Sequence, residues 1–346
     1  MVQYVGTANL ARLVRHVGLE AFLRGLAGYI EDDFRRWPQF EKIPRLASHS
    51  ASGVIELMPT SDGALYAFKY VNGHPCNTAA GLQTVTAFGV LSDVATGYPL
   101  LLSEMTLLTA LRTAATSALV ARRLARRGSR VMAMIGLGAQ SEFQAMAFRA
   151  LTDVRRLQVH DTDPAAARKF MRNMARAGME VALMPTSAGA VMGADIITTI
   201  TADKQQATVL SDNMVGPGVH INAVGGDCPG KTELQPGILS RGRVFVELPE
   251  QTRVEGEIQQ MPDDFPVTEI WQVLAGHEPG RVSDHDITIF DSVGFATEDF
   301  SALRYVRDGV AGTDFCADID LLTAPRDPRD LFGLLDLHEP EAGSSI

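Results

Sequence analysis

The sequence predicts an α/β protein: a doubly wound parallel sheet plus a second, α+β domain. Three observations carry this. In the middle of the chain, short apolar strands alternate with helical segments, the pattern of a parallel sheet covered on both faces. A glycine-rich turn joins the first of those strands to the next helix. Ahead of them, strand-like runs with polar residues at alternate positions are separated by turn formers, the punctuation of a meander or barrel. A length of 346 residues suits about two domains. With 46% hydrophobic and 21% charged residues, the chain has enough apolar content to close a sizeable core.

In chain order, a helix is expected from Leu19 to Trp37, with Leu23, Leu26, Tyr29 and Ile30 on one face. Strands follow over Gly53–Met58, Leu65–Val71 and Gln83–Leu91, with Ser61-Asp62-Gly63 and Asn72-Gly73 as turns. A helix from Leu107 to Arg127 stops at Gly128, a natural C-cap. Strand Val131–Ile135, a helix to about Ala150, strand Leu157–Asp161 and a helix over Pro164–Ala177 come next. Further strands are expected at Asp195–Ile200, His220–Val224, Arg243–Leu248 and Asp286–Phe290. These changes of rhythm divide the chain into residues 1–112, 113–315 and a tail, 316–346, whose polar end is expected to be mobile.

A net charge of −10 repels phosphate backbones, so nucleic acid is not an expected partner. Cys76, Cys228 and Cys316 share no metal-ligand spacing and cannot close a disulfide framework, so neither a metal site nor an oxidising compartment is expected. No run reaches the ~18 apolar residues of a membrane helix; Pro185 and Asp195 break the nearest one. With no signal-like N-terminus either, a soluble, cytoplasmic protein is expected.

Two loops carry candidate chemistry. Gly136-Leu137-Gly138-Ala139-Gln140-Ser141 lies between a strand and a helix, where Gly136 and Gly138 permit a tight turn and close approach of a pyrophosphate. Ser141 stands where a third glycine is usual. Asp161, 25 residues after Gly136, ends the next strand and suits ribose hydroxyls, favouring NAD over its phosphorylated form. The second loop, Gly225–Thr232, matches the phosphate-loop pattern G-x-x-x-x-G-K-[ST]. Against that reading stand its late position, the carboxylate of Asp227 inside it, and Pro236-Gly237 where a helix should launch. Asp227 lies just beyond the strand His220–Val224, where it is either a general acid/base or a helix cap. Arg45, Glu56 and Lys69 read alone as surface charges, Lys69 as one that snorkels from a half-buried strand. Arg112, among Leu107, Leu108, Leu111, Ala114 and Ala115, needs an anionic partner from the protein or a ligand.

Taken together, Lys69–Pro75, Gly81–Val90, Glu104–Thr116, Gly136–Gln140, Asp227–Leu234 and Phe290–Phe295 resemble the ornithine cyclodeaminase/mu-crystallin family, over about Arg45 to Arg307. The block Gly226–Leu234 is similar to the cyclodeaminase branch. The resemblance implies a Rossmann-type NAD domain and a substrate domain that dimerises through a β-barrel-like interface, with the tail returning to it. It implies that Arg45, Lys69 and Arg112 bind a substrate carboxylate, Arg112 also lying near the cofactor. Glu56 would face the distal ammonium of L-ornithine or a related basic amino acid, Val293 would touch substrate, and Asp227 would be the acid/base. Thr84, Gly136, Gly138, Ala139, Gln140, Asp161, Thr201, Ile221, Asn222, Ala223, Val224 and Ser292 would contact NAD. The implied reaction forms L-proline and ammonia, with an amino-acid dehydrogenase, an imine reductase and a lysine cyclodeaminase as alternatives on the same scaffold.

Overall fold

A computed structural model describes residues 1–202 and 208–335. The first sheet takes β1 (Val2–Val5), β2 (Leu46–His49), β3 (Val54–Ser61), β4 (Leu65–Gly73), β5 (Ala87–Asp93) and β6 (Pro99–Glu104). The second takes β7 (Val131–Ile135), β8 (Arg156–His160), β9 (Glu180–Leu183), β10 (Ile196–Thr199), β11 (His220–Ala223), β12 (Arg243–Val246), β13 (Thr268–Glu269) and β14 (Thr288–Asp291). A last strand, β15 (Ala317–Ile319), returns to the first sheet beside β1. The helices are α1 (Thr7–Val17), α2 (Leu19–Arg35), α3 (Thr106–Leu124), α4 (Ser141–Leu151), α5 (Pro164–Met174), α6 (Ser187–Val191), α7 (Pro236–Arg241), α8 (Pro249–Glu255), α9 (Ile270–Leu274) and α10 (Ala296–Val310).

The first sheet runs β15-β1-β6-β5-β4-β3-β2 and is antiparallel except where β1 joins β6. Alternation along β3 and β4 buries Met58, Ala67, Lys69 and Val71 under α10, while Ile55 and Leu57 stay exposed on the far face. The second sheet is wholly parallel, in the order β13-β12-β14-β11-β10-β7-β8-β9. Its central strands are buried on both faces; β7 is wholly apolar, while β10, β11 and β14 carry buried polar side chains, of which Thr198, Asn222 and Asp291 find hydrogen-bond partners. One apolar cluster runs from the first sheet through α2, α3 and α10 to one face of the second; another fills the opposite face. Among the described residues no helix is long and apolar enough to cross a membrane.

Where structure and expectation differ, local chemistry explains it. The strand expected from Gln83 starts at Ala87, because Asn72 Oδ1 accepts hydrogen bonds from the Thr86 amide (2.6 Å) and hydroxyl (2.7 Å) and pulls that stretch out of the ladder. Strands β1, β2, β9 and β15 have three or four residues, too few to show a period of two. The polar end of the tail lies outside the described residues.

After β14 the chain returns to the first sheet with α10, and a buried carboxylate fixes that return. Asp33 of α2, fully buried, accepts hydrogen bonds from Ser301 Oγ (2.7 Å), Arg304 Nη1 (2.6 Å) and Arg36 Nη2 (2.7 Å). Replacing Asp33 by Ala takes this acceptor from all three, although Ser301 keeps the Thr297 carbonyl and Arg36 keeps Asp62. We expect a loss of ~3 kcal/mol in urea unfolding, the low end for broken buried pairs because both arginines keep some contact with water. A loss below ~1 kcal/mol would contradict this role for Asp33.

Candidate functional site

Because every strand of the second sheet runs the same way, all their carboxyl ends open on one edge. From β7 the chain moves outward through β8 and β9, then returns to β10 on the other side of β7, so a crevice opens between the two directions. Gly136 follows β7 with φ +100°, and a Cβ there would sit 2.7 Å from the Ile200 carbonyl oxygen, so only glycine fits. Gly138 has open space where a side chain would be, and the N-terminus of α4 carries no side-chain cap. Free amides facing space suit an anionic group. Ser141 is buried in place of the third glycine and donates to the Gly138 carbonyl (2.8 Å).

Most of the other residues expected around a cofactor lie at or next to the carboxyl ends of these parallel strands. Asp161, just past β8, accepts from the Leu137 amide (2.6 Å) and so locks the glycine turn to the next strand. Gln140 donates to the Ala110 carbonyl of α3 (3.0 Å), with Ala139 beside it. Ile221, Asn222 and Ala223 form β11; Val224 leaves it and donates to the Thr199 carbonyl (3.0 Å). The Thr201 amide and hydroxyl both donate to Glu233. Ser292 Oγ donates to Glu247 (2.7 Å). Thr84 lies in the loop before β5, where its carbonyl accepts from the His74 amide (2.8 Å).

The phosphate-loop reading of Gly225–Thr232 fails on packing. A Cβ on Gly225 would lie 2.2 Å from the Glu233 carboxylate, and one on Gly226 would lie 2.8 Å from Glu257. Carboxylates press on this loop where phosphates would sit, and Lys231 turns to Asp227 (3.0 Å). No helix follows until Pro236. Asp227 keeps 54% of its side chain exposed and caps no helix.

Arg45, Glu56, Lys69 and Arg112 are brought together between the two sheets, and none is a free surface charge. Arg45 donates to Glu56 (3.1 Å) and to the carbonyls of Val293 (2.6 Å) and Gly294 (2.8 Å). Glu255, at the end of α8, lies 3.1 Å from Arg45 Nε but out of line for a hydrogen bond. Arg112 donates to Glu298 (2.6 Å) and Asp299 (2.9 Å), so its anionic partners come from the protein itself. Lys69 does not snorkel: it is 1% exposed and pairs with Asp299 at 2.8 Å. Glu298 and Asp299 occupy the first turn of α10, where the helix dipole favours negative charge. Gly294, at φ +75°, lets Arg112 approach; a Cβ there would meet Nη1 at 2.7 Å. Arg45 and Glu56, expected at opposite ends of a substrate, therefore touch. Lys69 and Arg112 keep N–H groups beyond those their acids take.

Burial sets the titration of this cluster. Desolvation, then the neighbouring Arg112, pulls the Lys69 ammonium down to about 8. Desolvation, with Glu298 close by, pushes Glu247 up to about 8, and burial pushes Glu255 up to about 7 against the attraction of Arg45. Glu247, Glu255, Glu298 and Asp299 escaped the sequence reading. The adjacent acids Glu298-Asp299 inside an apolar segment were a usable signal, since buried acids need partners.

Residues 7–314 match the model of the ornithine cyclodeaminase/mu-crystallin family. The chain is 64% identical over 335 residues to an ornithine cyclodeaminase of Agrobacterium fabrum, covering 97% of this chain and 95% of that protein. A lysine cyclodeaminase, solved to explain recognition of L-lysine, L-ornithine and L-2,4-diaminobutyric acid, superposes with a TM-score of 0.90 at 33% identity, covering 96% of this chain and 99% of the other. An archaeal alanine dehydrogenase dimer with bound NAD superposes with a TM-score of 0.85 at 29% identity, covering 93% and 99%.

If Lys69 binds a substrate carboxylate, as the resemblance implies, its ammonium, held near 8, makes that binding depend on pH. As pH rises through that value the cation is lost and Glu247 gains charge, both of which repel an anion. The inhibition constant of a simple monocarboxylate such as pentanoate, which does not titrate in this range, should rise at least fivefold between pH 7 and 9. A constant value across that interval would contradict the assignment.

Proposed function

The chain belongs to the ornithine cyclodeaminase/mu-crystallin family, and from that premise we propose that it converts L-ornithine to L-proline and ammonia with NAD as resident cofactor. The observation that carries this reading is the charge balance at the crevice mouth. Arg45, Lys69, Arg112 and Lys231 stand among Glu56, Asp227, Glu247, Glu255, Glu298 and Asp299. With Glu247 protonated near neutrality and Glu255, near 7, only partly ionised, the cluster keeps a small excess of negative charge. That excess suits a ligand carrying two ammonium groups and one carboxylate.

The residues present fit NAD. The uncapped start of α4 and the open space before Gly138 suit its pyrophosphate, and Asp161 lies at the strand end suited to ribose hydroxyls. When bound, NAD supplies a reversible oxidation at the substrate Cα, with no net redox change over the cycle.

The protein's own groups do the rest. Free N–H groups on Lys69 and Arg112, with Arg45 beside them, grip the carboxylate and fix Cα. Glu56, with Glu255 across Arg45, receives the distal ammonium. Asp227 accepts the proton that this ammonium must shed before its nitrogen can attack Cα and close a five-membered ring. The same carboxyl then returns a proton to the α-nitrogen, which departs as ammonia. Lys231 holds Asp227 at the loop edge. Positioning of this kind removes much of the entropic barrier to ring closure.

We further propose a homodimer. Leu57 pairs with Tyr70 and Tyr70 with Phe88, whose rings stack 5.1 Å apart. Ile55, Leu57 and Phe88 are exposed on the face of the first sheet turned away from α10, an apolar surface of the kind that marks interfaces. Leu57→Asp should convert the protein to monomers in light scattering; an unchanged mass in both proteins would contradict this interface.

Incubation with L-ornithine and a trace of NAD⁺ should yield equal amounts of proline and ammonia without accumulation of NADH. Stoichiometric NADH would instead support a dehydrogenase, and comparable turnover of L-lysine would support a lysine cyclodeaminase, since one methylene discriminates by only ~1–3 kcal/mol. Asp227→Asn should lower turnover at least ~10²-fold with NAD affinity unchanged. Retained turnover would contradict the proton role.

A further inference from the structure

We propose that Glu257 and Gln259 are positioning residues for Asp227, an inference that rests on the proton role given to Asp227 above. The starting point is Asp291 at the end of β14. Fully buried, it accepts from the amides of Glu257 (2.8 Å) and Ile258 (2.9 Å) and so anchors the single 3-10 turn Glu257–Gln260 to the central sheet.

That turn then holds the loop that follows Asp227. The Glu257 carboxylate accepts from the amides of Glu233 (2.7 Å) and Leu234 (3.0 Å), one on each oxygen. Gln259 Oε1 accepts from the Gly230 amide (2.6 Å), while its Nε2 donates to the carbonyls of Lys231 (3.1 Å) and Cys228 (3.4 Å). On the other side of Asp227, Gly225 lies against Glu233 and Gly226 against Glu257, both too closely for any side chain. Asp227 is thus bracketed, by Gly226 and Gly230–Leu234 resting on the short turn and by Gly225 resting on Glu233. Lys231, which pairs with its carboxylate at 3.0 Å, sits inside the same bracket.

The chemistry of the bracket is specific. Two amides pointing at the two oxygens of Glu257 need an acceptor at each, which a carboxylate offers and a carboxamide does not. Gln259 must both accept and donate, which a primary amide does and a carboxylate does not. This explains an acid and an amide two residues apart in a segment that reaches neither the substrate charges nor the glycine turn. A shift of about 1 Å in a catalytic group can cost about 10²-fold in rate.

The test uses the NAD-loaded enzyme and L-ornithine. Gln259→Ala, at a half-buried side chain, and Glu257→Gln should lower kcat at least ~30-fold. The ornithine KM and the NAD affinity should stay within about threefold of the parent. Amide exchange at Gly230–Leu234 should quicken. Gln259→Glu, which keeps the acceptor for Gly230 but loses the donors, should fall between Gln259→Ala and the parent. The proposal is overturned if Gln259→Ala exchanges faster at these amides yet keeps kcat. It is equally overturned if kcat falls only in step with the folded fraction. A parent that forms no proline would overturn the functional reading instead, and the exchange data would still report whether the turn holds the loop.

Discussion

Removing Arg45, Lys69 and Arg112 from water is the constraint on which the rest of this structure depends. Each buried cation costs several kcal/mol unless an acid meets it with good geometry. The partners come from the far end of the chain: Glu255 closes α8, Glu298 and Asp299 open α10, and the Val293 and Gly294 carbonyls follow β14. The first sheet therefore brings cations to a seam whose anions and acceptors arrive after the second sheet is built. Helix α10 packs on the first sheet while its first turn holds Arg112, so the docking of the sheets and the assembly of the site are one event.

On the function proposed above, the same seam sets what the protein will accept. Cations and acids alternate over a short distance, with a small excess of acid, and Asp227 stands at the exposed rim beside the glycine-lined crevice. A neutral amino acid would leave that negative excess unanswered. A diamino acid answers it, and its second amine is also the nucleophile the ring closure requires. Charge selection and chemistry thus use one set of side chains.

Much of this is legible in the amino-acid sequence. The strand–glycine turn–helix–strand–Asp161 series is local, so its spacing alone places the crevice, and the parallel sheet follows from short strands alternating with helices. Arg112 announces itself by lying in an apolar helix. What escapes is long-range. Nothing near Lys69 shows that Asp299 will meet it, so the lysine reads as a surface charge. The Gly225–Thr232 loop matches the phosphate pattern, and although Asp227 and Pro236-Gly237 already speak against it, the contact of Gly226 with Glu257 that decides the matter exists only in the folded chain. The short strands β1 and β15 carry no period and exist because each pairs with the other.

The central claim, that acids in this seam select a second ammonium group, is tested most directly by Glu56→Gln with two ligands of equal chain length. L-ornithine carries the distal amine and L-norvaline lacks it. The account predicts that kcat/KM for ornithine falls at least ~100-fold while the inhibition constant of norvaline stays within about threefold of the parent. Equal weakening of both ligands would contradict it.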